Sequence, residues 1–159
     1  MIEVRTINFE VRGLPQPKGS MQAFAFVNKV TGKARAVVTA GNNAKGTKAW
    51  ADSVRESAKA HAPAIVWDGP VKVTLGFIMQ APRSLPKTRP SFATKKPDAD
   101  KLERNVLDAL TGVIFRDDAQ VVECNKTKQY GDAPGVLVTI DQVPLDSQLG
   151  WTPRKDKKP

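Results

Sequence analysis

Apolar residues along this chain follow two rhythms, one of period two and one of period 3.6. Residues 2–12 alternate through Ile2, Val4, Ile7, Phe9 and Val11, with one slip near Thr6, and predict a strand. Residues 21–40 predict a β-hairpin, with Phe24 to Val27 set against Ala36 to Val38 and a turn at Thr31-Gly32. Residues 70–80 alternate most cleanly, through Val71, Val73, Leu75, Phe77 and Met79, and two more strands are expected at about 120–130 and 136–143. The helical rhythm occurs twice. Trp50, Val54, Ala58 and His61 share a face, predicting a helix from Thr47, a possible cap, to Ala62, where Pro63 ends it; Gly41-Asn42-Asn43 breaks the chain before it. Leu102, Val106, Ala109 and Leu110 predict a second helix over Ala99 to Thr111, stopped by Gly112.

Two stretches have no period. Gly13 to Ser20 is a stiff, turn-rich loop, and Ala81 to Pro97 is a long basic loop carrying Pro82, Pro86, Pro90 and Pro97. A long loop in a compact domain is often functional. Strands mixed with two helices, and no βαβ rhythm, predict an α+β two-layer sandwich around a mixed sheet. The length of 159 residues suits one domain, taken as residues 1–145, with a basic, disordered tail over 146–159.

Composition narrows the function. The net charge is +9 and the pI about 9.9, which argues for a polyanionic partner, nucleic acid before a membrane surface. No basic amphipathic helix with a bulky apolar face is evident, and no apolar run approaches the span of a bilayer. The N-terminal residues have none of the features of a secretory signal, so a cytoplasmic location is expected. Cys124 and His61 are the lone residues of their types, leaving no material for a disulfide, a Cys-rich zinc site or a histidine-based metal site. His61, near a helix C-terminus, reads as structural. Metal chemistry here must run on carboxylates, which select Mg²⁺ or Mn²⁺.

The carboxylates are concentrated. Seven of sixteen acidic residues lie between positions 98 and 123: Asp98, Asp100, Glu103, Asp108, Asp117, Asp118 and Glu123. Like charges so close need cations or a bound metal to be tolerable. Pro97 sets Asp98 at the N-cap of the second helix, with Asp100 in its first turn and Arg104 one turn on. Asp117-Asp118 follow on the turn into the next strand, where a helix and short return can bring a third carboxylate back beside the first two. Each element has a plain alternative: Asp98 and Asp100 as helix caps, Arg104 as an ion-pair partner of Asp100, Asp117-Asp118 as a turn.

The ordered set of basic loop, D-x-D, helix, R-D-D and strand resembles the RusA family of Holliday junction resolvases. Lys96-Pro97-Asp98-Ala99-Asp100-Lys101-Leu102, Leu107-Asp108-Ala109-Leu110-Thr111-Gly112 and Phe115-Arg116-Asp117-Asp118-Ala119-Gln120-Val121-Val122 carry the resemblance, and Gly13 to Gly19 is similar to a family opening turn. The resemblance implies a RusA-like fold, metal binding by Asp98, Asp100 and Asp118, and a homodimer that cuts branched four-way DNA in paired strands. Arg104 stands where the family has a catalytic lysine, and Lys101 where many members have asparagine. Arginine effectively cannot lose a proton, so Arg104 suits charge stabilisation, with Lys101 as a partial substitute. Lys18, Lys95, Lys96, Arg116, Lys126 and Lys128 are expected to grip phosphates. Rival readings are a non-catalytic nucleic-acid-binding protein and a resolvase relative that has lost activity.

Overall fold

The structure, a computed structural model, describes residues 4–19, 22–39, 43–85 and 91–144. The expected tail, the tip of the basic loop and the Gly41-Asn42 break lie outside the described residues. Strand β1 (Thr6–Arg12) begins at the slip in the alternation. Strands β2 (Gln22–Val27) and β3 (Ala34–Thr39) form the hairpin as a separate two-stranded sheet. Its turn is nucleated by Asn28, whose carboxamide oxygen accepts from Val30 N–H and Thr31 N–H, and Gly32 takes a φ of +67°.

Helix α1 (Ala44–Ala60) starts earlier than expected, because Asn43 rather than Thr47 caps it, accepting from Gly46 N–H at 3.2 Å. The Thr47 hydroxyl instead donates to the Pro17 carbonyl at 3.0 Å. His61 is structural: it stacks on Phe9 with ring centroids 5.4 Å apart, and its Nδ1–H donates to the Ser57 carbonyl at 2.8 Å.

The remaining elements are β4 (Val71–Gln80), α2 (Ala99–Leu110), a 3₁₀ turn at Asp118–Gln120, β5 (Val121–Gly131) and β6 (Gly135–Gln142). The main sheet has the order β1-β6-β4-β5. Strands β1 and β4 run antiparallel to β6, whereas β4 and β5 are parallel and joined through α2. One βαβ unit is therefore present where the sequence pattern predicted none. The non-periodic loop before α2 stretches the unit beyond the usual spacing and hides its rhythm. The end of that loop also pairs with the sheet, with Ala93 N–H donating to the Lys128 carbonyl and Tyr130 N–H to the Ser91 carbonyl.

The architecture is a mixed-sheet α+β sandwich, as expected. One face of the sheet presents Val71, Val73, Leu75, Phe77, Val136, Val138 and Ile140 to Trp50, Val54 and Ala58 of α1 and Leu102, Val106 and Ala109 of α2. Burying each large apolar side chain contributes about 1.5–3 kcal/mol. The opposite face carries exposed positions such as Leu137. No helix among the described residues is long and apolar enough to cross a membrane.

Candidate active site

The Gly13–Gly19 loop is tied down at Gly13, Gln16, Pro17 and Lys18. Gly13 N–H donates to the Pro134 carbonyl, Lys18 N–H to the Lys101 carbonyl, and Asn43 Nδ2 to Gln16 Oε1. The central tie is Asn105, the one buried polar residue among the described residues. Its Nδ2 donates to the Gln16 carbonyl at 2.9 Å and the Thr47 carbonyl at 3.2 Å, joining the loop to both helices. Sequence reasoning missed Asn105. The available signal was an asparagine interrupting the apolar stripe of α2.

Beside this loop, the basic segment delivers Lys95, Lys96 and then, after a cis Lys96–Pro97 peptide, Asp98. Asp98 has extended N-cap dihedrals, and its carbonyl accepts from Lys101 N–H and Leu102 N–H. Its carboxylate makes no cap hydrogen bond, so the simple capping reading does not describe this residue. Asp100, in the first turn, pairs with Lys101 at 3.0 Å, not with Arg104. The Lys101 ammonium holds the Asp100 carboxyl below the usual carboxylate range. Arg104 is exposed, with no ion pair among the described residues.

Asp118 lies elsewhere. The route back from α2 does not recross the helix; it stays at its C-terminal end and enters β5 alongside the start of β4. Along α2, Asp100 and Asp108 are about 12 Å apart, and Asp108 is a residue whose charge acts on Asp118. Along β5, the strand from Val121 to Lys128, which contacts the start of α2, spans roughly 20 Å. Among the described residues, no group of three or more His, Cys, Asp or Glu is placed to hold a metal. Within one chain, the expected convergence of Asp118 on Asp98 and Asp100 does not occur. A parallel βαβ unit puts the two ends of its crossover helix at opposite ends of the sheet.

Asp117 and Asp118 divide their roles. Asp117 shapes the turn: its carboxylate accepts from Ala119 N–H at 2.8 Å, while Gln120 Oε1 accepts from Asp117 N–H at 2.9 Å. Gln120 Nε2 then anchors this turn to the Trp67 and Gly69 carbonyls. Asp118 is left projecting with no cation partner among the described residues. Partial desolvation and the charges of Asp117 and Asp108 raise its carboxyl above the usual range.

The expected phosphate-gripping cations divide in the same way. Lys95 and Lys96 are exposed beside Asp98, and exposed Arg116 adjoins Asp118, 3.6 Å from Asp68. Lys18 is paired with Asp108 at 2.5 Å. Lys126 and Lys128 share a face, as their spacing implies, but both are engaged by groups of this chain. Lys126 pairs with Glu103, which raises its pKa, and Lys128 donates to the Lys95 and Pro97 carbonyls at 2.7 and 2.6 Å. Lys128 therefore supports the loop that presents Asp98 and is not free for a phosphate.

A two-carboxylate helix end framed by lysines on a strongly basic domain is what a phosphodiester-cleaving protein needs, hard oxygen ligands for a cation and positive charge for the backbone. The profile of the RusA endodeoxyribonuclease family matches residues 27–141, and the chain belongs to that family. It is also similar to the protein YqaN of Bacillus subtilis (strain 168), described there as uncharacterized. The two are 32% identical over an alignment covering 54% of this chain and 67% of the relative.

Proposed function

We propose that this protein is a divalent-metal-dependent endonuclease that resolves four-way DNA junctions as a homodimer. Each active site would take Asp98 and Asp100 from one protomer and Asp118 from its partner. The observation that carries this reading is the separation of Asp118 from Asp100 and from Asp98, whose carboxylate makes no cap hydrogen bond, at opposite ends of α2. A two-fold pair that sets the start of one α2 against the β5 entry of the other would unite them, twice, by symmetry. Arg116 would arrive with Asp118 and add its charge to Lys95 and Lys96.

The donor set fits a hard divalent ion: Asp98 and Asp100 are exposed oxygen ligands, and Mg²⁺ commonly binds through one or two carboxylates while keeping its waters. Such an ion, when bound, lowers the pKa of a water molecule and polarises the phosphoryl oxygen. Lys101 neutralises Asp100 and holds a positive charge beside the carboxylates, where it would meet a phosphate. Arg104 stays protonated throughout and stabilises negative charge that develops on the phosphoryl oxygens.

The test is a labelled four-way junction incubated with and without Mg²⁺. Wild type should nick it symmetrically only with the metal, and Asp100→Asn should bind without cutting. Asp98→Asn and Asp118→Asn should each be inactive alone. Mixing them should restore about one site per mixed dimer, because one partner supplies Asp98 and the other Asp118. Inactive mixtures, with dimers verified by mass, would end the shared-site reading. Binding without cleavage under any divalent ion would favour a binding protein instead.

A further inference from the structure

A cleft of about 680 Å³ opens beside Asp98. Its floor is Met79 and Tyr130, at the ends of the adjacent strands β4 and β5. Its wall is formed by Leu14, Pro15 and Pro17 of the anchored loop. These surfaces are apolar, and half-buried Tyr130 contributes an aromatic ring from a backbone bonded to Ser91. The lining also includes charge, from Lys95, Lys96, Asp98 and Lys101, the last paired with Asp100. Gln80 adds an amide at the edge.

An apolar slot with an aromatic floor and a cationic rim calls for a ligand with a flat ring system at one end and negative charge at the other. A nucleotide has that form: its base has a π-face that stacks on tyrosine, and its phosphates meet lysines. The volume lies within the range of small-ligand sites, with room for a base and its sugar. The chain's own C-terminal stretch, with Arg154, Lys155, Lys157 and Lys158, is as basic as the rim, so charge opposes it as occupant. Nucleotides at the crossover of a branched DNA are the ones whose unstacking costs least.

We propose that this cleft receives one unstacked nucleobase adjoining the scissile phosphate, and so reads the DNA at the point of cutting. The proposal rests on the nuclease reading above. It assigns Tyr130 and Leu14 as base contacts, in addition to the phosphate contacts on the rim.

The test uses the full-length protein and synthetic four-way junctions without Mg²⁺, measuring affinity by fluorescence anisotropy. One series is intact; the others lack a single base at each position flanking the cut. At one position, base removal should weaken wild-type binding by roughly ten-fold, the scale of one stacking contact. Tyr130→Ala should weaken binding to the intact junction by a similar factor and be indifferent to loss of that base. Leu14→Ala, at an exposed loop position, should act in the same direction, and serves if Tyr130→Ala fails to fold. Losses that multiply, or no sensitive position, with junction preference intact, would overturn the cleft proposal alone. A wild-type protein that prefers linear duplex to the junction would remove the nuclease reading with it.

Discussion

Asn105→Ala is expected to destabilise this protein by about 2–3 kcal/mol, although the Asn105 side chain bonds to none of the aspartates. Asn105 is 1% exposed, and its amide donates to two carbonyls on two different elements. A buried acceptor that loses its donor costs about 1–3 kcal/mol. The Gln16 carbonyl, on a half-buried loop residue, has no other donor among the described residues, so it bears much of that cost. The Thr47 carbonyl lies inside α1 and keeps its helical partner, so its loss is nearer 1 kcal/mol. For a chain of this size the total corresponds to a fall in Tm of roughly 5–10 °C. Urea unfolding followed by circular dichroism, with an unchanged slope, measures it directly. Asn105→Asp supplies the pH control. Burial against two carbonyl oxygens raises the folded pKa of the new carboxyl above its unfolded value of about 3.9. Its stability is therefore greatest below that value and falls as pH rises through the folded pKa, making Asp worse than Ala at pH 7 and more nearly equal near pH 4. An Asn105→Ala protein within about 0.5 kcal/mol of wild type would refute the assignment of this residue as the central tie.

Three further outcomes are expected. Lys128→Met should destabilise by about 1–2 kcal/mol and speed amide hydrogen exchange at Ala93, because the Lys95 and Pro97 carbonyls lose their donor; unchanged exchange would refute the role given to Lys128. Burial and the neighbouring Glu103 push the Cys124 thiol from 9.0 up to about 12. The unfolded chain then ionises first as pH rises, so stability should decline between those values; iodoacetamide labelling at pH 9 should be slow in the folded protein, and Cys124→Ser should flatten the decline. For the proposed shared site, millimolar Mg²⁺ should raise Tm, and by more at higher protein concentration; a shift independent of concentration would argue for a site within one chain.

The local layers of this molecule were legible in its sequence because they depend on near neighbours. Alternation in Val71 to Met79 marked a strand buried on one face, and the stripe through Leu102, Val106 and Ala109 marked α2. Asp98, Asp100, Asp117 and Asp118 stood out because clustered acids on a basic chain are electrostatically costly. Other assignments depended on partners distant in sequence. Lys126 and Lys128 share a face by spacing alone, yet only folding supplies Glu103 and the loop carbonyls that occupy them. Asn105 is ordinary until Gln16 and Thr47 come within hydrogen-bond distance.

By itself, the sequence determined the family, the elements and the residues that carry charge, all of them properties of short windows and totals. The parallel pairing of β4 with β5 was a tertiary decision, since strand order and direction depend on contacts across the whole chain. That pairing sends α2 back along the sheet and leaves Asp118 at the far end from Asp98. How far Asp118 lies from Asp98 within one chain is thus a matter of topology, because the length and direction of a crossover helix fix how far apart its two ends must lie.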